Sequence, residues 1–439
     1  MREILSLFPE TATLDANGQL YLGGCAVEEL KRAFGTPLYI FDELTLRRKC
    51  QAFRAALATY YPARGEAAHA SKAYLCTALA QLFAEEGLFM DVVSGGEAYV
   101  ARAAGFPMER TIFHGNAKPQ AELQQALEWG VGRIAVDNLD ELRLLGQVAA
   151  GRSAPVRIWL RLSPGIEAHT HAYVVTGVLD SKFGLPVATG DAERAVKLAL
   201  SLPGIELVGI HAHIGSQILD PQAFIETIGV LIGFAAEMKR KYGFDLREFS
   251  PGGGLGVRYT LEDNAPSIED FVALLARAVI QNCQAHGLAL PMMVLEPGRA
   301  IVGPAGVALY TIQARKEIPG VRTYLSVDGG MADNIRPALY QAKYSALAAN
   351  KADAPLVEKA TIAGRYCESG DILIRDVELP HLKAGDLLAL PTAGAYCLAM
   401  ASNYNLSCRP AVVLVKEGKA RLMQRRESYE DLVRRDLRL

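Results

Sequence analysis

"EAAHASKAYLCTALAQLFAEEGLFMDVVS", residues 66–94, sets two short β-type runs on either side of a longer helical pattern. The flanks are "EAAHASKA" (66–73) and "LFMDVVS" (88–94). Between them "LCTALAQLFAEEG" spaces its apolar side chains for one helix face and stops at a glycine. A strand, a helix and a second strand in this order predict a parallel pair joined by a crossover. The unit then repeats. Further strands are read at "TIFHG" (111–115), "RIAVDN" (133–138), "VRIWLRL" (156–162), "LVGIHAHIG" (207–215), "LREFSPGGG" (246–254) and "MMVLEPG" (292–298). The first five of these eight begin about 22 residues apart, the length of one strand–helix unit.

Eight strands alternating with helices imply a parallel sheet, and closing it on itself gives a (β/α)8 TIM-type barrel. An open doubly wound sheet would carry a glycine fingerprint after its first strand, and none is present. After residue 305 the texture changes. "GVALYTIQARKEI", "RTYLSVDGG", "KATIAGRYC", "DLLALPT" and "RPAVVLVKEG" are short, β-rich and separated by Gly, Pro or Asp. Near the N-terminus "NGQLYLGG" and "TPLYIFDE" are similar and are expected to join the same sheet. The expected architecture is α/β plus β: a barrel over residues 44–305, and a second, mainly antiparallel β domain built from both chain ends, 1–43 and 306–439.

Composition narrows the function classes. The 439 residues are half apolar and carry a formal net charge of -2. No basic patch suggests a nucleic-acid surface. No apolar run reaches the roughly 20 residues that span a bilayer. "MREILSLFPE" lacks the apolar stretch and cleavage site of a signal peptide, so a cytoplasmic protein is expected. The seven cysteines are scattered and form no CxxC pair, which argues against a disulfide framework and fits a reducing compartment.

Barrel chemistry sits where strands end. Strand one ends in Lys72, strand six in His211-Ala-His213-Ile-Gly215-Ser216, strand seven in Gly252-Gly253-Gly254, and strand eight in Glu296-Pro297-Gly298-Arg299. Singly, a rim lysine is ordinarily solvated, a histidine is a core residue, and a glycine run is a turn. Together, at one rim, they share a chemistry. The glycines allow close backbone approach and expose amides to an anion. Ser216 and Arg299 add a hydroxyl and a planar cation. His213 offers a flat face for a ring, Glu296 a carboxylate for a pyridine nitrogen, and Lys72 an amine for a Schiff base if burial or a cationic neighbour lowers its pKa. Phosphate, pyridine ring and aldehyde together describe pyridoxal 5′-phosphate (PLP). Zinc also favours imidazole, and His169, His171, His211 and His213 form two HxH pairs. No third ligand motif accompanies them, so no metal is expected.

One stretch lies beyond the barrel pattern. "GRYCESGDIL" (364–373) places Cys367, Glu368 and Asp371 between glycines. A turn, a metal ligand and a catalytic group are all open readings of it.

Eleven segments in this order resemble the PLP-dependent decarboxylases of the alanine-racemase-type barrel fold. They are "HASKAYLCTAL", "GLFMDVVSGGEAYVARAAGFP", "IFHGNAK", "RLSPGIEAHTHAYVVTG", "DSKFGL", "GIHAHIGSQ", "SPGGGLGV", "LEPGRAIVG", "DGGMADNIRPALY", "CESGD" and "GAYCLAMASNYN". The resemblance implies that Lys72 carries PLP, that His213 stacks on its ring and that Glu296 pairs with the ring nitrogen. Ser216, Gly253, Gly254, Gly298 and Tyr396 would bind the phosphate, with Arg299 near it or the substrate carboxylate. Asp91 joins the cofactor contacts on the same ground. Arg336 and Tyr340, in "IRPALY", would bind a distal substrate carboxylate, with Tyr396 close by. Cys367 and Glu368 would come from a second subunit of a homodimer, as proton donor and as partner of the distal ammonium. Asp371 is left as a turn residue. One departure stands out: many members read Lys-Ala-Asn after the lysine, where this chain has Lys72-Ala73-Tyr74.

The groups fit decarboxylation better than racemisation. An acid at Glu296 keeps a ring nitrogen protonated and makes a full electron sink, whereas a racemase gains from a basic residue there. The carbanion left by CO2 needs one proton, and a thiol with an unperturbed pKa of ~8.5 suits that step. A distal carboxylate and a distal ammonium make an amino-acid head, as in meso-2,6-diaminopimelate, with L-lysine as the product. Carboxynorspermidine, D-ornithine or a siderophore- or carrier-linked intermediate are the alternatives within the enzyme class. A small PLP-homeostasis barrel is the alternative outside it, but such proteins lack a β domain and a Cys-Glu pair.

Overall fold

A computed structural model describes residues 2–166 and 181–439; His169 and His171 lie outside the described residues. The chain divides into two compact units. One is Lys49–Gly256 with Ala265–Ala300; the other is Met1–Arg48, Val257–Asn264 and Ile301–Leu439.

The first unit is the closed parallel barrel. Its strands are β1 (Gly65–Ala70), β2 (Phe89–Val92), β3 (Thr111–Phe113), β4 (Arg133–Val136), β5 (Val156–Ser163), β6 (Ile205–His211), β7 (Glu248–Gly252) and β8 (Met292–Leu295). Each pairs in parallel with the next, and β8 closes on β1 through Met293–Gly65 and Leu295–Ala67. A further two-residue strand, Leu185–Pro186, adds to β5. The intervening helices carry the punctuation that ends and starts helices. Ser94 Oγ, Asn138 Oδ1 and Ser267 Oγ each accept the backbone N–H three residues on. Gly243 (φ 72°) and Gly287 (φ 64°) close the two longest in the left-handed conformation that glycine adopts without strain.

Strand periodicity places the site. Ala68, Phe89, Ile112, Ala135, Trp159, Val208 and Val294 pack as one apolar cluster. Two residues further on, side chains return to the same face. There stand Ala70, Asp91, His114, Asp137, Arg161 and Glu296, all buried. The chain thus stacks a polar layer directly beyond an apolar plug. At the plug, Arg133 holds Glu248 with two hydrogen bonds of 2.6 Å, and Trp159 Nε1 donates to the same carboxylate at 2.7 Å. That triad satisfies a charge pair that burial would otherwise penalise.

The second unit is a mainly antiparallel sheet. Gly306–Ile318 pairs antiparallel with Arg322–Val327, Leu387–Leu390 and Leu38–Asp42. Two pairings are parallel: Leu38–Asp42 with Ala411–Lys416, and Arg322–Val327 with Glu358–Ala363. "TPLYIFDE" therefore joins the sheet as expected, but "NGQLYLGG" does not. Its strand Leu20–Leu22 forms a separate three-stranded sheet with Thr13–Leu14 and Cys25–Ala26. Gly18, Gly23 and Gly24, all at positive φ, fold that segment back on itself within a few residues. Leu20 and Leu22 still face the main core beside Leu38, Ile40 and Val413.

Candidate active site

The predicted strand ends run slightly past the last paired residues. β1 ends at Ala70, and Lys72 sits in a single 3-10 turn, Ser71–Ala73. β6 ends at His211, so His213 and Ser216 belong to the following loop. The functional side chains thus stand on the first residues freed from the ladder but still held by it.

Lys72 Nζ lies 2.8 Å from Asp91 Oδ2. Its described neighbour is thus a carboxyl group rather than a cation, which leaves burial as the other route to a reactive amine. Tyr74, the departure from the family pattern, is buried in the wall, and its carbonyl lies 3.1 Å from His69 Nε2.

Glu296 is 4% exposed and meets three neighbours. His211 Nε2 is 3.0 Å from Oε2. Ser250 Oγ donates to Oε1 at 3.1 Å, and His114 Nε2 lies 3.3 Å from that same oxygen. Burial opposes charge on this carboxyl, yet the two imidazoles hold it well below the usual carboxylate range. Burial also pushes His211 down to about 4, against the attraction of Glu296. His213 is likewise held well below its ordinary value, by burial and then by the nearby cations Lys72 and Arg161. A neutral ring is the better stacking face for another heterocycle. Among the described residues, His211 joins a possible ligand group, in which His114, His211 and Glu296 bring donor atoms within 4.8 Å of one another. His211 hydrogen-bonds one oxygen of this carboxylate and His114 lies beside the other, so we read the group as a polar cluster around Glu296.

The glycine run is a close-approach device. A Cβ at Gly253 would overlap the Glu296 carbonyl, and one at Gly254 (φ 123°) the Gly215 carbonyl. At Gly298 a Cβ would come 2.9 Å from the Cβ of Ala73. Among the described residues, neither the Gly253 nor the Gly254 amide donates to a protein acceptor. Arg299, buried, donates to Ser216 Oγ at 2.8 Å. Free amides, a hydroxyl and a guanidinium form an anion cradle, and the carboxylate and amine of the same barrel end match a pyridine nitrogen and an aldehyde. The residues present therefore fit PLP.

In the β unit, Arg336 is 5% exposed and donates to the Tyr344 hydroxyl. Its guanidinium stacks 4.7 Å over the Tyr259 ring. Neither tyrosine was singled out by sequence. Tyr340, which was, has its hydroxyl 4.0 Å from Met400 Sδ. Tyr396 holds φ at 61°, a conformation a non-glycine residue adopts only where its surroundings enforce it. Cys367 and Glu368 are exposed; the Cys367 amide donates to Asn405 Oδ1 at 3.0 Å. Asp371 is buried and ties the loop, accepting from the amides of Met331 (2.6 Å) and Tyr366 (2.8 Å).

Comparison with known proteins supplies the family. The pyridoxal-binding domain of the pyridoxal-dependent decarboxylases matches residues 43–303. The chain belongs to the pyridoxal-dependent decarboxylases. It is 46% identical to the diaminopimelate decarboxylase of Bacillus subtilis over 97% of each chain, and 45% identical to that of Halalkalibacterium halodurans over 98% of each. The crystal structure of diaminopimelate decarboxylase from M. jannaschii with L-lysine superposes with a TM-score of 0.91 at 33% identity, covering 98% of each chain. PLP is accordingly the cofactor, and the protein is a carboxy-lyase with the barrel-plus-β architecture of these relatives.

Proposed function

We propose that the protein removes the carboxylate at the D-configured centre of meso-2,6-diaminopimelate, giving L-lysine and CO2, the last step of lysine biosynthesis. The observation that carries the reading is Glu296: a buried carboxylate hydrogen-bonded by His211 and Ser250 beside an anion cradle. The full-length likeness to diaminopimelate decarboxylases, and the L-lysine held by the M. jannaschii relative, support the substrate.

When bound, PLP supplies an imine-forming aldehyde and a conjugated ring that accepts the electron pair left by departing CO2. Lys72 would hold the cofactor through its aldehyde, with Asp91 positioning the lysine side chain. Glu296, ionised, keeps a proton on the ring nitrogen. His213 gives the ring a flat, neutral wall. Gly253, Gly254, Gly298, Ser216 and Tyr396 bind the phosphate, with Arg299 beside Ser216. Arg336 and Tyr340 take the distal carboxylate and Glu368 the distal ammonium. Cys367 gives its thiol proton to the carbon that lost its carboxylate, so one C–C bond breaks and one C–H bond forms.

Cys367 and Glu368 act, in this reading, in the site of a second copy, which makes the enzyme a homodimer with shared sites. Their exposure supports it. No described helix is long and apolar enough to cross a membrane, and we take the dimer to be cytoplasmic. Product analysis tests the whole. With PLP present, meso-2,6-diaminopimelate should yield CO2 and L-lysine in equal amounts. Release of CO2 from D-ornithine or carboxynorspermidine but not from meso-2,6-diaminopimelate would overturn the substrate.

A further inference from the structure

The segment "IFHGNAK" carries a histidine that the mechanism above leaves without a task. His114 follows β3 and is 4% exposed. Its Nε2 lies 3.3 Å from Glu296 Oε1 and 3.9 Å from Asp91 Oδ1. No described acceptor meets it in straight hydrogen-bond geometry, so the nitrogen is poised between two carboxylates rather than committed to one. Its ring packs edge-on against His211 at 4.6 Å and Trp159 at 6.4 Å. Those two rings are nearly parallel, with 11° between their planes. His114 is thereby held from β5 and β6 while it faces β2 and β8.

A carboxylate buried to this degree wanders or takes up a proton unless donors fix both its oxygens. His211 serves Oε2, and Ser250 and His114 share Oε1. Ser250 is itself oriented, accepting the Gly252 amide at 3.1 Å. His114 is the one of the three that also reaches toward the Asp91 that holds Lys72.

We propose that His114 is a positioning residue for Glu296: with His211 and Ser250 it fixes that carboxylate for the cofactor's ring nitrogen, and it links Glu296 to the Lys72–Asp91 pair. The inference rests on the PLP assignment. It assigns His114 no contact with substrate.

The test compares His114→Gln, which keeps a side-chain N–H, with His114→Phe, which keeps only the ring packing. Apoprotein titrated with PLP reads the cofactor dissociation constant from the visible absorption. His114→Phe should raise it about tenfold or more, the scale of leaving a buried charge without a polar neighbour. It should lower kcat by a similar factor and leave KM for meso-2,6-diaminopimelate within about twofold. His114→Gln should recover most of both. In a Glu296→Gln background the effect of His114→Phe on PLP affinity should disappear. Phe equal to or better than Gln, or an unchanged effect in the Glu296→Gln background, would show a packing role only and overturn the proposal. If His114→Phe does not fold by circular dichroism, His114→Leu takes its place in both comparisons. A wild-type chain that binds no PLP would overturn the cofactor assignment itself. One that binds PLP and decarboxylates, with His114→Phe unaffected, would overturn only the role of His114.

Discussion

The barrel rim and the Arg365–Asp371 loop both carry reactive side chains but support them differently. At the rim Asp91, His211 and Glu296 are almost wholly buried, and their partners come from strands far apart in sequence. In the loop, buried Asp371 ties the backbone, while Cys367 and Glu368 stand exposed. The Glu368 carboxylate accepts the amide of its near neighbour Gly370 at 3.2 Å. Packing within the barrel therefore fixes the charged groups of this rim in place. Folding of the loop builds only a presentation: a thiol and an acid on a rigid turn, with their working environment still to be supplied.

The sharpest break is Lys72→Ala. It should lower activity on the order of 10⁴-fold or more, as removal of a covalent-catalysis residue does. The visible absorption of the bound cofactor should go with it, while the apoprotein melts as before. An unchanged spectrum would mean that PLP is held by another amine, and the barrel site as described would be wrong.

The barrel was legible because its signals are local and repeated. Strand–helix units recur at nearly constant spacing, and the rim residues fall at the strand ends, where unusual residue types stand out. Lys72, His213, Glu296 and the Gly252–Gly254 run were visible in this way. His114 and Ser250 were not, because their meaning arises only when β3 and β7 close around the end of β8. Tyr259 was missed for a related reason. Residues 257–264 leave the barrel to join the β unit, and no periodicity marks that departure. In the β unit the sheet's composition was readable, but its two parallel pairings and the separate Leu20–Leu22 sheet depend on long-range register.

Cys367→Ala probes the other side of the comparison. It should lower kcat by about 10²–10⁴, the range for a lost general acid, and leave PLP affinity within about twofold. A loss of PLP binding would instead make the loop part of the cofactor site. Mixing Lys72→Ala with Cys367→Ala protein refines this. If subunits exchange freely, half the dimers are mixed and each holds one intact site, so about a quarter of wild-type activity should return. No recovery under exchanging conditions would put Cys367 in its own chain's site.

A smaller effect is expected at Arg336. Lysine keeps the charge but loses the planar fork and the stack on Tyr259. Arg336→Lys should raise KM for meso-2,6-diaminopimelate by roughly tenfold to a hundredfold with little change in PLP affinity. A kcat effect with unchanged KM would remove Arg336 from substrate binding and leave it a structural member of the Tyr259–Tyr344 cluster.

The least dramatic test separates the two units by acid. Burial pushes His69, stacked on Phe83, down to about 4 from its ordinary 6.5. Below pH 6.5 the unfolded chain binds a proton there that the folded chain refuses, so this group's stabilisation is lost as pH falls from 6.5 to 4. In the β unit the sign is reversed. Burial pushes Asp333 up to about 6 from 3.8, against the hydrogen bonds from Tyr310, Gly330 and Tyr39. Between those values the folded state holds a proton that the unfolded state releases, so stability from Asp333 rises as pH falls from 6 to 3.8. Asp328 and Asp371, also raised by burial, act in the same direction in this unit, so only the comparison with an Asp333 variant isolates Asp333. Melting curves of wild type against single variants isolate each group. On lowering the pH from 7 to 4.5, wild type should lose ground to His69→Phe and gain ground on Asp333→Asn, each by on the order of 1 kcal/mol or more. Shifts of the same sign in both pairs would mean that folding moves the pKa of at least one of the two groups in the opposite direction.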